Sequence, residues 1–97
     1  MIVNEIKIVR DIEAEFDDDY EVYAVYINDE PWLRDNSDVN DFIEKLVNKY
    51  GKQYGLDPDE IDFEPMESYI EVRKEDVKAF EKLVDDYNNG KLKKLHL

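Results

Sequence analysis

Cysteine and threonine are absent from this 97-residue chain, and histidine occurs once. Without cysteine there is no disulfide framework, no thiolate zinc site and no cysteine nucleophile. Serine is confined to Ser37 and Ser68, and the single histidine, His96, sits on a lysine-rich tail. Neither serine has a nucleophile-elbow context, so Ser-His chemistry has no parts to assemble from. Glycine is equally scarce: Gly51, Gly55 and Gly90 stand alone. Each falls where a helix is expected to end, no glycine-rich loop can cradle a phosphate, and no nucleotide cofactor is implied. No run approaches the ~20 apolar residues of a membrane span. Met1-Ile2-Val3-Asn4-Glu5 also lacks the basic region and apolar stretch of a secretory signal. A soluble cytoplasmic protein without membrane contact is the expectation.

Positive charge is the other scarcity. Lys and Arg number 13 against 26 Asp and Glu, for a net charge of −13. The deficit is local: Asp11 to Glu44 carries 13 carboxylates and one cation, Arg34, and Gln53 to Val72 carries seven and none. Clustered cations able to neutralise phosphates are limited to Lys91, Lys93 and Lys94, so direct nucleic-acid binding is not expected. Acid this dense invites a calcium reading of Asp57 to Glu64, but an EF-hand loop needs an oxygen ligand and then glycine where this chain has Ile61 and Asp62. No metal site is assigned. Paired-carboxylate hydrolysis needs a pocket with an apolar wall, and nothing marks one. The chain is read as a non-enzyme.

What is present suffices for a fold. Seven Tyr, four Phe, one Trp and 42% apolar residues separate the chain from a disordered acidic tail. Even positions Ile6, Ile8, Arg10, Ile12, Ala14 and Phe16 alternate against Asp11, Glu13 and Glu15, the period of a half-buried strand. Tyr20 to Asn28 is a second strand, apolar on both parities. Asp29-Glu30-Pro31 breaks it, since proline cannot donate to a ladder. Trp32 and Leu33 form a short third strand or a loop anchored in the core.

A helix follows, capped at Asn36-Ser37-Asp38 and carrying Val39, Phe42, Ile43, Leu46, Val47, Tyr50 and Tyr54 on one face, with Gly55 as its C-cap. Asp57 and Pro58 open a short helical turn. Met66, Ser68, Ile70 and Val72 alternate as another strand. Lys74-Glu75-Asp76 opens a second helix, with Val77, Phe80, Leu83 or Val84, and Tyr87 inward, ending at Asn88-Asn89-Gly90. Residues 91–97 add a short edge strand or fray. One α+β domain over residues 1–97 is expected, in the order ββ(β)αβα(β), with both helices on one face of an antiparallel sheet.

The first two strands can be registered by their apolar residues. A three-residue turn, Asp17-Asp18-Asp19, sets Phe16 opposite Tyr20, Ala14 opposite Val22 and Ile12 opposite Ala24, all on the core face. The outer face then gathers Asp11, Glu13, Glu15, Asp17, Asp18, Asp19 and Glu21 into one ridge, with Glu15 opposite Glu21 at a cost of about 0.2–1 kcal/mol. Tyr23 borders this ridge, pointing outward, and Trp32 is expected in the core. Same-face residues on a strand repeat every ~6.6 Å, against ~3.4 Å for the charges on one DNA strand. Two adjacent acidic strands plus the turn approach duplex density.

These eight residues, Asp11 to Glu21 of the ridge together with Tyr23, are the candidate partner-binding site. The expected partner is a basic protein surface, the groove of a nucleic-acid-binding protein, which the acidic face would occupy as an inhibitor or nucleic-acid mimic. Small acidic inhibitors of phages and mobile elements, including anti-CRISPR and anti-restriction proteins, are similar in size and charge, without a shared motif. The alternative is an assembly protein or homodimer that covers the outer face of Tyr20 to Asn28 near Val25 and Ile27.

Overall fold

Phe42, Ile43, Leu46, Val47 and Tyr50 recur at helical spacing, and all five are buried on one side of helix α1 (Asp38–Tyr50). The structure, a computed structural model, describes residues 2–11, 19–31, 38–64 and 69–96. Before α1 come strands β1 (Ile6–Arg10), β2 (Tyr20–Ile27) and β3 (Glu30–Pro31); after it come β4 (Ile61–Glu64), β5 (Tyr69–Arg73) and helix α2 (Val77–Asn88). All strand pairs are antiparallel. The sheet runs β1-β2-β5-β4, with β3 also on β2. This is the expected α+β architecture.

One apolar cluster joins both helices to one face of the sheet. Ile6 of β1, Tyr23, Val25 and Ile27 of β2, Ile61 of β4 and Ile70 and Val72 of β5 meet Phe42, Ile43, Leu46 and Val47 of α1 and Phe80, Leu83, Val84 and Tyr87 of α2. Phe42 and Tyr87 pack edge to face across the helices, ring centroids 6.0 Å apart, an arrangement the ring quadrupoles favour. Full burial of each such side chain stabilises by about 1.5–3 kcal/mol before chain entropy is counted.

The register of the first hairpin differs from expectation. Ile8 lies opposite Val25 and Arg10 opposite Tyr23, whereas pairing Phe16 with Tyr20 would have set Arg10 opposite Tyr26. The slide is three residues, and an odd slide turns a strand over. Tyr23, Val25 and Ile27 therefore face the helices, in place of Tyr20, Val22, Ala24 and Tyr26. Alternation could not decide this, because β2 is flanked by β1 and β5 and is apolar on both parities; Val22, apart from the main cluster, is itself buried. Val25 and Ile27 belong to the chain's own core and offer no face to a second subunit.

Two further elements differ. Ile61–Glu64 is a strand, so a hairpin stands where a single strand was expected. Glu30–Pro31 turns back on β2 through Asn28 and Asp29, both at positive φ (50° and 68°), the type I′ geometry of a two-residue hairpin. Other local readings match: Asp57 accepts from the Asp59 N–H at 3.0 Å at the head of the turn Pro58–Glu60. α1 passes into a 3₁₀ turn, Gly51–Tyr54, closed by Gly55 at φ 80°. α2 ends in a Schellman motif, the Lys91 N–H donating to the Asp86 carbonyl and the Gly90 N–H to that of Tyr87. The expected cap at Asn36-Ser37 and the placements of Trp32, Leu33, Met66 and Ser68 lie outside the described residues.

The tail returns to the start of the chain. Leu95 is buried, the Val3 N–H donates to its carbonyl at 3.0 Å, and Ile2 bridges His96. The Tyr87 hydroxyl donates to the Val3 carbonyl and accepts from the Leu95 N–H.

Candidate functional site

The four candidate residues that the structure describes, Asp11, Asp19, Glu21 and Tyr23, do not form one outer ridge. Asp11 and Asp19 are exposed; the Asp11 N–H donates to Val22 at 2.8 Å and the Asp19 carbonyl accepts from the Lys74 N–H at 3.0 Å. Glu21 lies opposite Val72, a core residue, so its side chain is on the helix side of the sheet with only 14% of its surface exposed. Tyr23 is 2% exposed. Its outward placement is overturned by the three-residue slide, and the same slide moves Glu21 off the outer face. Glu13, Glu15, Asp17 and Asp18 lie outside the described residues.

Glu21 and Tyr23 instead help to build a groove that no spacing announced. Ile8, Arg10, Tyr23, Glu81 and Asp85 line about 360 Å³ between β1, β2 and α2. At its floor the Tyr23 hydroxyl lies 3.1 Å from Glu21 Oε2 and 3.1 Å from Glu81 Oε1. Arg10 Nη2 pairs with Glu21 Oε1 at 3.0 Å. Phe80 backs the Tyr23 ring, centroids 5.9 Å apart. Burial first, and then the Glu81 and Glu21 carboxylates, push the Tyr23 phenol well above its ordinary range. It is held as a neutral donor and is unsuited to act as a base near neutral pH.

Glu81, Asp85 and Asn88 run at i, i+4 and i+7 along α2, beside the even residues of β1. Asn88 ends the row by clamping Ile6: its Oδ1 accepts from the Ile6 N–H at 2.7 Å and its Nδ2 donates to the Ile6 carbonyl at 2.6 Å. Helical spacing alone puts these three residues on one helix face, but nothing in the sequence says which strand that face meets. Sequence reasoning thus missed Arg10, Glu81 and Asp85. Around the groove, three carboxylates face one cation among the described residues.

Elsewhere, charge is tied into the fold. Asp86 accepts from the Tyr54 hydroxyl at 2.6 Å, with Lys82 and Lys91 Nζ each 3.7 Å away. That hydrogen bond, more than the lysines, holds the Asp86 carboxyl below its usual range, and Tyr54 is pushed up to about 12. A second groove, about 460 Å³, is lined by Asp19, Tyr20, Arg73, Lys74 and Glu75, with Arg73 paired to Glu75 at 2.6 Å. Among the described residues no group of three or more acids and histidines is placed to hold a metal ion, and no helix is long and apolar enough to cross a membrane. Comparison with protein-family models, curated proteins and solved structures finds no match.

Proposed function

We propose that the protein is a non-enzymatic binding module that sets its carboxylates against a basic protein surface and acts as an inhibitor, occupying the groove of a nucleic-acid-binding protein. The observation that carries this reading is the groove between β1 and α2. Glu81 and Asp85 line it, Glu21 stands behind its floor, the one cation among the described lining residues, Arg10, is already paired with Glu21, and the floor is a phenol that has only one proton to give. Such a site lacks donors and is complementary to lysine or arginine. A net charge of −13 steers basic partners toward it.

Affinity capture from the native host, followed by competition with duplex DNA, tests the reading. The captured partner is expected to be displaced by DNA and to bind more weakly as salt rises. Reversal of Glu81→Lys and Asp85→Lys together is expected to weaken it by about tenfold or more. Salt-insensitive binding, or indifference to the double reversal in a folded variant, would remove the reading.

A further inference from the structure

Beside the acidic wall of this groove runs an unfinished strand edge. The Glu5 carbonyl accepts from the Asn28 N–H and the Asp11 N–H donates to the Val22 carbonyl, and the register between them is unbroken. The odd residues of β1 therefore make the ladder to β2, and the even residues, Ile6, Ile8 and Arg10, turn their N–H and C=O groups outward. At Ile6 both groups are taken by the Asn88 side-chain amide, which mimics a strand residue. One rung further along, at Ile8, neither group has a partner among the described residues. The α2 residue lining the groove beside it is Asp85, whose carboxylate has no donor for the Ile8 carbonyl.

From this edge we infer that the protein binds an extended basic segment of its partner by strand addition to β1, beginning at Ile8. The inference rests on the proposed basic partner and gives it a shape. An added strand lies about 4.8 Å from β1. Its residue opposite Ile8 directs both backbone groups at the Ile8 pair and its side chain to the helix side, over Glu81 and Asp85. A lysine or arginine there gains backbone bonds and carboxylates together, the combination by which strand-addition partners acquire affinity and specificity. A second copy of this chain fits poorly. Pairing β1 with β1 about Ile8 would set Arg10 of one copy against Ile6 of the other, whose outward groups Asn88 already holds, and would crowd four carboxylates from the two α2 helices.

The probe is a synthetic heptapeptide of alternating valine and lysine, used in three forms: unmodified, N-methylated at its lysines, and N-methylated at its valines. In the bound register the lysine N–H groups face β1 and the valine N–H groups face solvent. The unmodified peptide is expected to bind at low salt and to slow exchange of the Ile8 amide. Methylation at lysine should weaken it by roughly five- to tenfold, and methylation at valine by less than about twofold. Ile8→Pro, which removes an N–H that the sheet does not use, should reproduce the lysine effect; should that variant not fold, the peptide series stands alone. Equal binding of the three forms overturns strand addition and leaves the basic-partner reading intact. So does an unbound peptide alongside a native partner that still responds to the Glu81 and Asp85 reversals. A bound peptide with the expected methylation pattern, alongside a native partner indifferent to those reversals, supports the edge and removes the proposed function.

Discussion

The Tyr23 hydroxyl has one proton and two carboxylate neighbours at the same 3.1 Å. Only one of these contacts can be a hydrogen bond at a time; the other sets a phenol lone pair against a carboxylate oxygen. Glu21 has Arg10 as a second partner, whereas Glu81, an exposed residue, has none among the described residues. Glu81 is thus the surplus acceptor, four residues from another acid, Asp85, in a spacing that destabilises helices when the charges are alike. Glu81→Gln should relieve both conflicts, since its amide can donate to the phenol oxygen. A gain of about 0.5–1 kcal/mol is expected, the net worth of one hydrogen bond, read as a higher urea midpoint at unchanged slope. A lower midpoint would show that Tyr23 donates to Glu81 and that this bond outweighs the repulsion. The same substitution should weaken a basic partner, because the surplus that strains the free protein is what a cation would satisfy.

At the scale of elements, the turn between β2 and β3 is built on Asn28 and Asp29, both left-handed. Asn28 also has a second role, because its side chain accepts from the N–H groups of Asn4 and Glu5 and donates to the Ile2 carbonyl, fastening the segment ahead of β1. Asp29 is exposed and its side chain is not needed for that fastening, so Asp29→Gly should keep the hairpin and relieve left-handed strain. Stabilisation of up to about 1 kcal/mol is expected after glycine's own entropic cost, and thermal unfolding of the two proteins would check it; a lower melting temperature would mean that Asp29 has a role in the turn beyond its backbone. Legibility varied by element for physical reasons. Both helices could be read, because each has one apolar stripe and a polar remainder: Phe42 to Tyr50 and Phe80 to Tyr87 fell where spacing placed them. β2 could not be oriented, because Val22 on one parity and Tyr23, Val25 and Ile27 on the other are all buried in a strand with neighbours on both sides. The candidate site inherited that ambiguity. Glu21 and Tyr23 were named as candidates on the outer face, the slide of register puts both on the helix side, and the Tyr23 contact Glu81 is 58 residues away along the chain, beyond any local pattern.

Over the whole molecule, a radius of gyration of 12.3 Å and a net charge of −13 leave little room for further negative charge. Three phenols are poised to add it at high pH. Burial above all pushes up Tyr23 and Tyr87, and the bond to Asp86 pushes Tyr54 up to about 12, against an ordinary value near 10. A phenol whose folded value is raised contributes stability that is complete below the unfolded value and is lost as pH rises through the folded one. The stabilising window therefore extends up to about pH 10, and loss begins above it, where unfolding releases protons that the fold retains. Each proton lost also adds to the self-repulsion of an acidic chain, which salt screens within about 8 Å at physiological strength. The expected outcome is a urea midpoint without a tyrosine-linked fall up to about pH 10, falling steeply between 10 and 12, and falling less steeply in high salt. Tyr54→Phe should soften the fall by removing one of the three phenols, while lowering the plateau through loss of the Asp86 contact. Phenolate absorbance would report the same groups directly, Tyr23, Tyr54 and Tyr87 ionising above the ordinary phenol range. If Tyr23, Tyr54 and Tyr87 ionised near pH 10 with the fold intact, these phenols would have no part in holding β2, α2 and the Gly51–Tyr54 turn together.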